Sequence, residues 1–231
     1  MASKIEIKIC GITDERGMKA ATRAGADYIG FIFVKDSPRY IAPKEAATLT
    51  QQFREHLRPE GRKIVAVMAD PTDQDLAEVL TDLSPDVLQL HGKESPDRVR
   101  DIAGIYDIRM VKALGIASKA DIRKAEDYVG YADMLLFDAK TKDGRSGGTG
   151  ESFDWNLLKE ADISLPWFLS GGLDEANIAN AIAQTGAGKV DVSSGVESTK
   201  GVKDPEKIEA FIEKVRQISG EAEEDAHDYD D

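Results

Sequence analysis

The sequence has little cysteine, little histidine and no long apolar run, and each scarcity excludes a class of protein. One cysteine, Cys10, stands among the 231 residues, which excludes both a disulfide framework and a CxxC metal site. The three histidines, His56, His91 and His227, show no i, i+4 pairing, which argues against a metal site. No apolar run approaches the roughly 18 residues of a membrane span, and the N-terminus lacks the apolar core of a signal peptide. We therefore expect a cytoplasmic protein without a metal and without a membrane partner.

A basic stripe is also absent, and the charge that is present is concentrated at one end. The net charge is −13, but residues 221–231 alone hold seven acids and no Lys or Arg. The rest of the chain holds 30 basic and 36 acidic side chains, a balance that offers nucleic acid no binding surface. Blocks of like charge are typical of solvated, disordered chain. We predict a catalytic domain over residues 1–219 and a disordered acidic tail over 220–231.

Short runs of β-branched and apolar residues recur along the chain, and amphipathic stretches typical of helices lie between them. Eight strands are predicted, near residues 5–10, 28–33, 63–68, 86–90, 108–112, 133–138, 167–170 and 190–193. Helices are predicted near residues 14–24, 43–57, 72–83, 118–129, 174–185 and 204–218. Asp14, Pro43 and Asp174 stand at positions typical of helix starts.

The spacing of the strands favours a closed barrel. The intervals between strand starts are 23, 35 and 23 residues in the first half and 25, 34 and 23 in the second. Alternating strands and helices predict parallel βαβ units, and the repeated rhythm suits an eightfold barrel. The rival is an open doubly wound sheet, which usually carries a glycine-rich phosphate turn after its first strand. Residues 10–13 read CGIT here, so we predict an α/β protein with a single (β/α)8 TIM barrel.

In such a barrel, catalytic groups lie at the carboxyl ends of the strands. The alternation of the first strand turns its isoleucines toward the helices and points Lys8 and Cys10 into the barrel. Cys10 is then a candidate catalytic thiol, although a small buried apolar residue is the commoner role of a free cysteine. Asp138 ends an apolar run with no helix pattern after it. Residues 139–154, a long stretch with four glycines, follow it and suggest a lid with Asp138 at its base.

The turns after strands 7 and 8 have the composition of an anion site. Glycine lets backbone N–H groups approach a phosphate, and serine adds hydroxyl donors. Ordinary turn chemistry explains either turn alone, but two together favour a small sugar phosphate as the ligand. The candidate residues are Gly171, Gly172, Ser193, Ser194 and Gly195.

Two further side chains have open interpretations. Arg39 follows Pro38, which holds the loop extended, so Arg39 is either a donor to a carboxylate or a surface arginine. His91, after the fourth strand, either contacts a ligand or satisfies a loop carbonyl.

Seven ordered motifs resemble the phosphoribosylanthranilate isomerases of tryptophan biosynthesis over residues 4–218. They are KICGIT at 8–13, GADYIGFIF with SPRYI within 25–41, QLHG at 89–92, LLFDA at 135–139, GGTGESFDW at 147–155, SGGL at 170–173 and DVSSGVE at 191–197. The resemblance implies an Amadori rearrangement of N-(5-phosphoribosyl)anthranilate to 1-(2-carboxyphenylamino)-1-deoxyribulose 5-phosphate, without metal or organic cofactor. The chain is expected to act as a monomer or a homodimer.

The resemblance also implies roles for individual residues. Asp138 is implied as the general acid at the furanose oxygen, and Cys10 as the general base at C2′. Arg39 is implied at the anthranilate carboxylate, and the two glycine–serine turns at the phosphate. We add His91 and Asp191 as candidate substrate-binding residues.

An acid and a base that work at one carbon framework need tuned pKa values. We expect desolvation to raise the pKa of the acid and a nearby cation to lower that of the thiol. Lys8 and Asp191 both point inward on neighbouring strands, which predicts a Lys8–Asp191 pair beneath Cys10.

Three alternatives share parts of this pattern. A ribulose-phosphate epimerase would need metal-binding His and Asp residues, which are scarce here. An indole-glycerol-phosphate synthase would need catalytic Lys and Glu at other strand ends. A phosphate-binding barrel that had lost catalysis would be expected to lack Cys10 or Asp138, and both are present.

Overall fold

The computed structural model describes residues 4–53, 61–139, 152–159 and 161–220. Within these ranges, eight parallel strands close into a barrel in chain order, with β8 beside β1. The strands are β1 Glu6–Cys10, β2 Tyr28–Ile32, β3 Lys63–Met68, β4 Val87–Leu90, β5 Arg109–Ile116, β6 Met134–Ala139, β7 Trp167–Leu169 and β8 Lys189–Val192. The predicted (β/α)8 barrel is confirmed.

Helices follow most strands and pack against the outside of the barrel. They are α1 Glu15–Arg23, α2 Pro43–Gln52, α3 Asp73–Leu83, α4 Pro96–Ile105, α5 Lys119–Arg123, α6 Ile178–Thr185 and α7 Pro205–Ser219. Short 3-10 helices cover Lys124–Tyr128, Trp155–Leu157 and Ser194–Val196. After the last of these, β9 Glu197–Thr199 and β10 Val202–Lys203 form an antiparallel hairpin that the sequence analysis did not predict.

Two of the three predicted helix-start signals act as expected. Asp14 caps α1 by accepting the N–H of Gly17 at 2.8 Å, and Pro43 is the first residue of α2. The third was wrong, because α6 begins at Ile178. Oδ1 of Asp174 instead accepts the backbone N–H of Asn177 at 2.9 Å, and the backbone N–H of Asp174 donates to Oδ1 of Asn177 at 3.0 Å, which forms a turn before the helix.

The barrel buries its side chains in two groups that follow the period of two along each strand. One group fills the interior: Cys10, Tyr28, Val65, Val67, Val87, Val111, Ala113, Met134, Leu136 and Phe168. The other lies between the strands and the helices and includes Ile7, Ile9, Val190 and Val192. This confirms that the isoleucines of β1 face the helices and that Cys10 points inward.

Strand β5 runs four residues past its predicted end, to Ile116. Lys112 had the appearance of a strand end because a lysine is seldom buried. In the structure Lys112 is 2% exposed and lies in the middle of β5. The strand can therefore continue and pair with β6 from Val111 to Ile116.

Helix α7 ends at Ser219, and Gly220 follows it in the left-handed conformation, with φ at +77°. Of the predicted acidic tail, 220–231, every residue after Gly220 lies outside the described residues, as do His56 and His227. Across the four described ranges, no helix is long and apolar enough to cross a membrane.

Candidate active site

Two reactive groups stand at the carboxyl-terminal mouth of the barrel. Cys10 is the last residue of β1, and Asp138 is the next-to-last residue of β6. Each is 5% exposed. Strands β1 and β6 lie three steps apart around the ring, one short of diametrically opposite. The thiol and the carboxyl therefore flank the mouth from two sides.

The carboxylate of Asp138 is fixed at both oxygens. Its Oδ1 accepts the backbone N–H of Ala139 at 2.8 Å, and its Oδ2 lies 3.2 Å from Nε2 of His91. The turn after β7 presses against this carboxylate. A Cβ on Gly171 would lie 2.7 Å from the backbone nitrogen of Ala139, and its φ of +90° is one that other residues rarely adopt. Glycine at this position lets the β7 turn reach Asp138.

The imidazole of His91 connects Asp138 to a second strand. The sequence left open whether His91 contacts a ligand or satisfies a loop carbonyl. In the structure its Nε2 lies beside the carboxylate of Asp138, and contact with a ligand stays a prediction. Its Nδ1 lies 2.8 Å from Nε2 of Gln89. The sequence analysis missed Gln89, although counting two residues on from inward-facing Val87 would have placed it inside the barrel.

The predicted Lys8–Asp191 pair is present beneath the thiol. Nζ of Lys8 donates to Oδ1 of Asp191 at 2.9 Å, and both side chains are buried. The two residues face each other in the register between β1 and β8. The other oxygen of Asp191 accepts the hydroxyl of Ser170 at 3.2 Å. Both oxygens of Asp191 therefore have protein donors.

The expectation that a cation lowers the pKa of the Cys10 thiol was wrong in its net direction. Burial raises the pKa of Cys10 above its ordinary value of 9.0, and Asp191 adds to that rise. Lys8 and Lys203 oppose the shift without reversing it. The reason is that desolvation of a thiolate inside the barrel outweighs the attraction of cations that already have carboxylate partners.

Arg39 forms a buried, bidentate ion pair with Glu197. Its Nε and Nη2 donate to the two carboxylate oxygens of Glu197 at 2.6 and 2.9 Å. Lys203 donates to the same carboxylate at 2.8 Å. Although burial raises the pKa of Glu197, these donors bring it down to about 2. Of the two alternatives for Arg39, the surface arginine was wrong, since the residue is 4% exposed. Glu197 is a second site residue that the sequence analysis did not single out.

The two predicted phosphate turns are brought together, because they follow the neighbouring strands β7 and β8. They contain Gly171, Gly172, Ser193, Ser194 and Gly195. Gly172 has a φ of +63°, and a Cβ on Gly195 would collide with the carbonyl oxygen of Leu173. The turns therefore lie in contact and require glycine. The hydroxyl of Ser193 is directed at the thiol side, where it donates to the carbonyl of Cys10 at 3.0 Å.

In the part of the chain that the structure describes, no group of three or more His, Cys, Asp or Glu side chains could hold a metal ion. The arrangement can instead perform acid–base chemistry, with one carboxyl and one thiol at the mouth and buried cations on the thiol side. The glycines expected to form a lid, Gly144, Gly147, Gly148 and Gly150, lie outside the described residues.

Comparison with known proteins identifies one family. Residues 7–214 match the family model described as N-(5'phosphoribosyl)anthranilate (PRA) isomerase. The N-(5'-phosphoribosyl)anthranilate isomerase of Rhizobium etli is 46% identical over 215 residues, which cover 92% of this chain and 94% of that protein.

Solved structures agree. The phosphoribosyl anthranilate isomerase of Thermotoga maritima superposes with a TM-score of 0.81 at 34% identity, over 92% of this chain and 99% of that one. A second such isomerase, solved in complex with reduced 1-(o-carboxyphenylamino)-1-deoxyribulose 5-phosphate, gives a TM-score of 0.78 at 32% identity, over the same 92% and 99%. These matches decide against the epimerase and the synthase as alternatives, and this chain belongs to the N-(5'-phosphoribosyl)anthranilate isomerase family.

Proposed function

We propose that this chain is an isomerase of tryptophan biosynthesis that converts N-(5'-phosphoribosyl)anthranilate to 1-(2-carboxyphenylamino)-1-deoxyribulose 5-phosphate. The observation that carries the proposal is that Cys10 and Asp138 lie at the same barrel mouth in a chain of this family. An aldose-to-ketose shift needs one proton donor and one proton acceptor on either side of the reacting carbons. The two groups meet that need.

Asp138 is the proposed general acid. It donates its proton to the ring oxygen as the C1′–O bond breaks, which leaves a protonated imine between C1′ and the anthranilate nitrogen. His91 and the N–H of Ala139 hold the resulting carboxylate at 3.2 and 2.8 Å, so the charge that appears in this step has donors already in place.

Cys10 is the proposed general base. Its thiolate takes the proton from C2′, the C–H electrons form the C1′–C2′ double bond, and the imine electrons return to nitrogen. The enolamine then tautomerises to the ketone. Lys8 and Lys203 favour the thiolate form electrostatically, which supports a basic role despite the raised pKa of the thiol.

The remaining candidate residues support binding. Arg39 is proposed to receive the anthranilate carboxylate, and its ion pair with Glu197 supports this role by fixing the plane of the guanidinium group. Gly171, Gly172, Ser193, Ser194 and Gly195 are proposed to bind the phosphate. His91 and Asp191 were predicted to contact substrate, and their contacts favour supporting roles beside Asp138 and Lys8.

The test is turnover of freshly prepared phosphoribosylanthranilate, measured by the loss of its fluorescence. Rapid turnover is expected for the wild type. Cys10→Ser and Asp138→Asn are each expected to lose about 10²–10⁴-fold in kcat, the usual contribution of a positioned acid or base. An inactive wild type that still bound a product analogue would indicate a binding barrel instead.

A further inference from the structure

Gln89 is a buried polar side chain to which neither the sequence motifs nor the proposed reaction gives a role. It is 1% exposed and points into the barrel from β4. Its Nε2 lies 2.8 Å from Nδ1 of His91. Its Oε1 is buried and has no hydrogen-bond partner among the described residues. A buried, unpaired amide oxygen destabilises the fold, so the orientation of this amide needs an explanation.

The orientation of the amide determines which nitrogen of His91 carries a proton. An NH2 group facing Nδ1 requires Nδ1 to be the acceptor, which places the hydrogen of the neutral ring on Nε2. Nε2 then donates to Oδ2 of Asp138 at 3.2 Å. With the amide turned by 180°, Oε1 would face Nδ1 and favour a proton there. Nε2 would then either lose its hydrogen or belong to an imidazolium cation.

Either result of that 180° rotation of the amide would prevent Asp138 from acting as a general acid. A ring without the Nε2 hydrogen could not hold the carboxylate that forms when Asp138 gives up its proton. An imidazolium would stabilise the ionised carboxylate beforehand and so remove the proton that the acid has to donate. Only the neutral ring with its hydrogen on Nε2 leaves the proton on Asp138 before the reaction and donates a hydrogen bond to the carboxylate afterwards.

We propose that Gln89 is a positioning residue that holds His91 as the neutral Nε2–H tautomer facing Asp138. The unpaired Oε1 is the consequence of using the amide as a donor to Nδ1. This role rests on the proposed function, in which Asp138 is the acid. The tautomer itself is a property of the free protein and is measurable whether or not the chain is an isomerase.

The first measurement is the nitrogen-15 NMR spectrum of the histidine side chains in the wild type at the pH of the assay. The chain has three histidines, so His91 is assigned by the signals lost in His91→Asn. We expect Nδ1 to appear as a bare acceptor nitrogen and Nε2 as an N–H. A proton on Nδ1 in the wild type would overturn the proposal.

Two variants connect the tautomer to catalysis. Gln89→Glu presents only acceptors and is expected to protonate Nδ1, whereas Gln89→Met presents neither and is expected to give a mixture of tautomers. In both, kcat should fall by about tenfold, a part of the roughly 10²–10⁴-fold that a positioned acid supplies, with little change in KM. Gln89→Met keeps the test usable if the buried charge of Gln89→Glu prevents folding.

Val111→Ala is the matched control, because Val111 is the residue on β5 that pairs with Gln89 and it lies inside the same barrel. It should reduce stability while leaving the His91 tautomer and kcat unchanged. If Gln89→Met kept the wild-type tautomer, the role of Gln89 would be refuted even with kcat reduced. If every variant and the wild type lacked isomerase activity while the tautomer shifted as expected, the proposed function would fail and the tautomer assignment would stand.

Discussion

Two lysines are fully buried on opposite sides of this barrel, and their surroundings differ. Lys8 on β1 is 0% exposed, and Lys112 on β5 is 2% exposed. Each has a carboxylate at 2.9 Å, Asp191 for Lys8 and Glu94 for Lys112. Burying an ammonium group is tolerated only when it is paired and hydrogen-bonded, so both pairs are needed for the fold.

The other contacts separate the two lysines. Lys112 also donates to three backbone carbonyls, those of Leu90, Gly92 and Ala113, at 3.2, 3.0 and 2.9 Å. Leu90 and Gly92 are the two neighbours of His91, so Lys112 holds the backbone that carries the imidazole.

Lys8 has Cys10 beside it. Although burial lowers it, the pKa of Lys8 lies above its ordinary value because Asp191 and the thiol stabilise its charge. The ammonium group of Lys112, surrounded by carbonyl oxygens, therefore has a structural role. The ammonium group of Lys8, shared between a carboxylate and a thiol, influences the reactivity of that thiol.

The largest effect is expected from Lys112→Met. It leaves Glu94 buried without its cation and removes one donor from three carbonyls, which should reduce the free energy of unfolding by about 3–5 kcal/mol. Urea denaturation measures this. The double variant Lys112→Met with Glu94→Gln should recover part of the loss, because no buried charge is left unpaired. A loss below about 1 kcal/mol in the single variant would contradict a structural role.

Lys8→Met tests whether Lys8 influences the thiol, and the measurement is the titration of Cys10. Removing the cation and leaving Asp191 unpaired should raise the pKa of the thiol further above 9.0. Since Cys10 is the one cysteine of the chain, the ultraviolet absorbance of its thiolate measures this directly. Lys112 does not contact the thiol, so Lys112→Met serves as the control and should leave the titration midpoint of Cys10 unchanged. An unmoved midpoint in Lys8→Met would show that the lysine does not act on Cys10.

The pH dependence of the proposed base is isolated in Asp138→Asn, whose side chain cannot ionise. In the wild type, loss of the proton from the acid would oppose the gain of thiolate, because the reaction needs both groups. Burial raises the pKa of Cys10 above 9.0, so the thiolate fraction grows as the pH rises toward that value. The residual kcat of Asp138→Asn for phosphoribosylanthranilate should therefore increase from neutral pH to 9.0. A residual rate that stayed flat or fell over this range would show that the thiolate is not limiting.

Lys203 is a third buried lysine, and the last prediction concerns its carboxylate partner, Glu197. It shares Glu197 with Arg39, and burial lowers the pKa of Lys203 despite that partner. The pKa of Glu197 is about 2 in the folded chain against 4.5 ordinarily, so its ion pairs stabilise the fold above 4.5 and lose that effect as the pH falls toward 2. Glu197→Gln should lower Tm at neutral pH, and its difference from the wild type should shrink in acid. A difference that is constant with pH would contradict the ionic role.

These pairs show which parts of the site could be predicted. Lys8 and Asp191 were predicted as a pair because both lie on strands with a clear alternation, and closure of the barrel makes β8 and β1 neighbours. Lys112 and Glu94 were not, because Lys112 resembled a strand end and Glu94 lies in a loop with no periodicity. From the sequence alone, a charged residue is predicted to be exposed, because its buried partner is not known.

The Arg39–Glu197 pair was missed for a related reason. The two residues are 158 positions apart, and Glu197 begins a short hairpin that no apolar pattern marks. The direction of the Cys10 pKa was missed because the sequence shows the cation next to the thiol but not the depth of burial, which has the larger effect.

The sequence by itself determined the barrel, its eight strands, the inward placement of Lys8 and Cys10 and the position of Asp138 at a strand end, since these depend on local periodicity and on chain order. Only the tertiary structure decided which donors meet which acceptors. The contact of His91 with Asp138, the orientation of Gln89 and the four oxygens around Lys112 each join separate strands or loops. Hydrogen bonds depend on distances of a few tenths of an ångström, and closure of the barrel sets those distances.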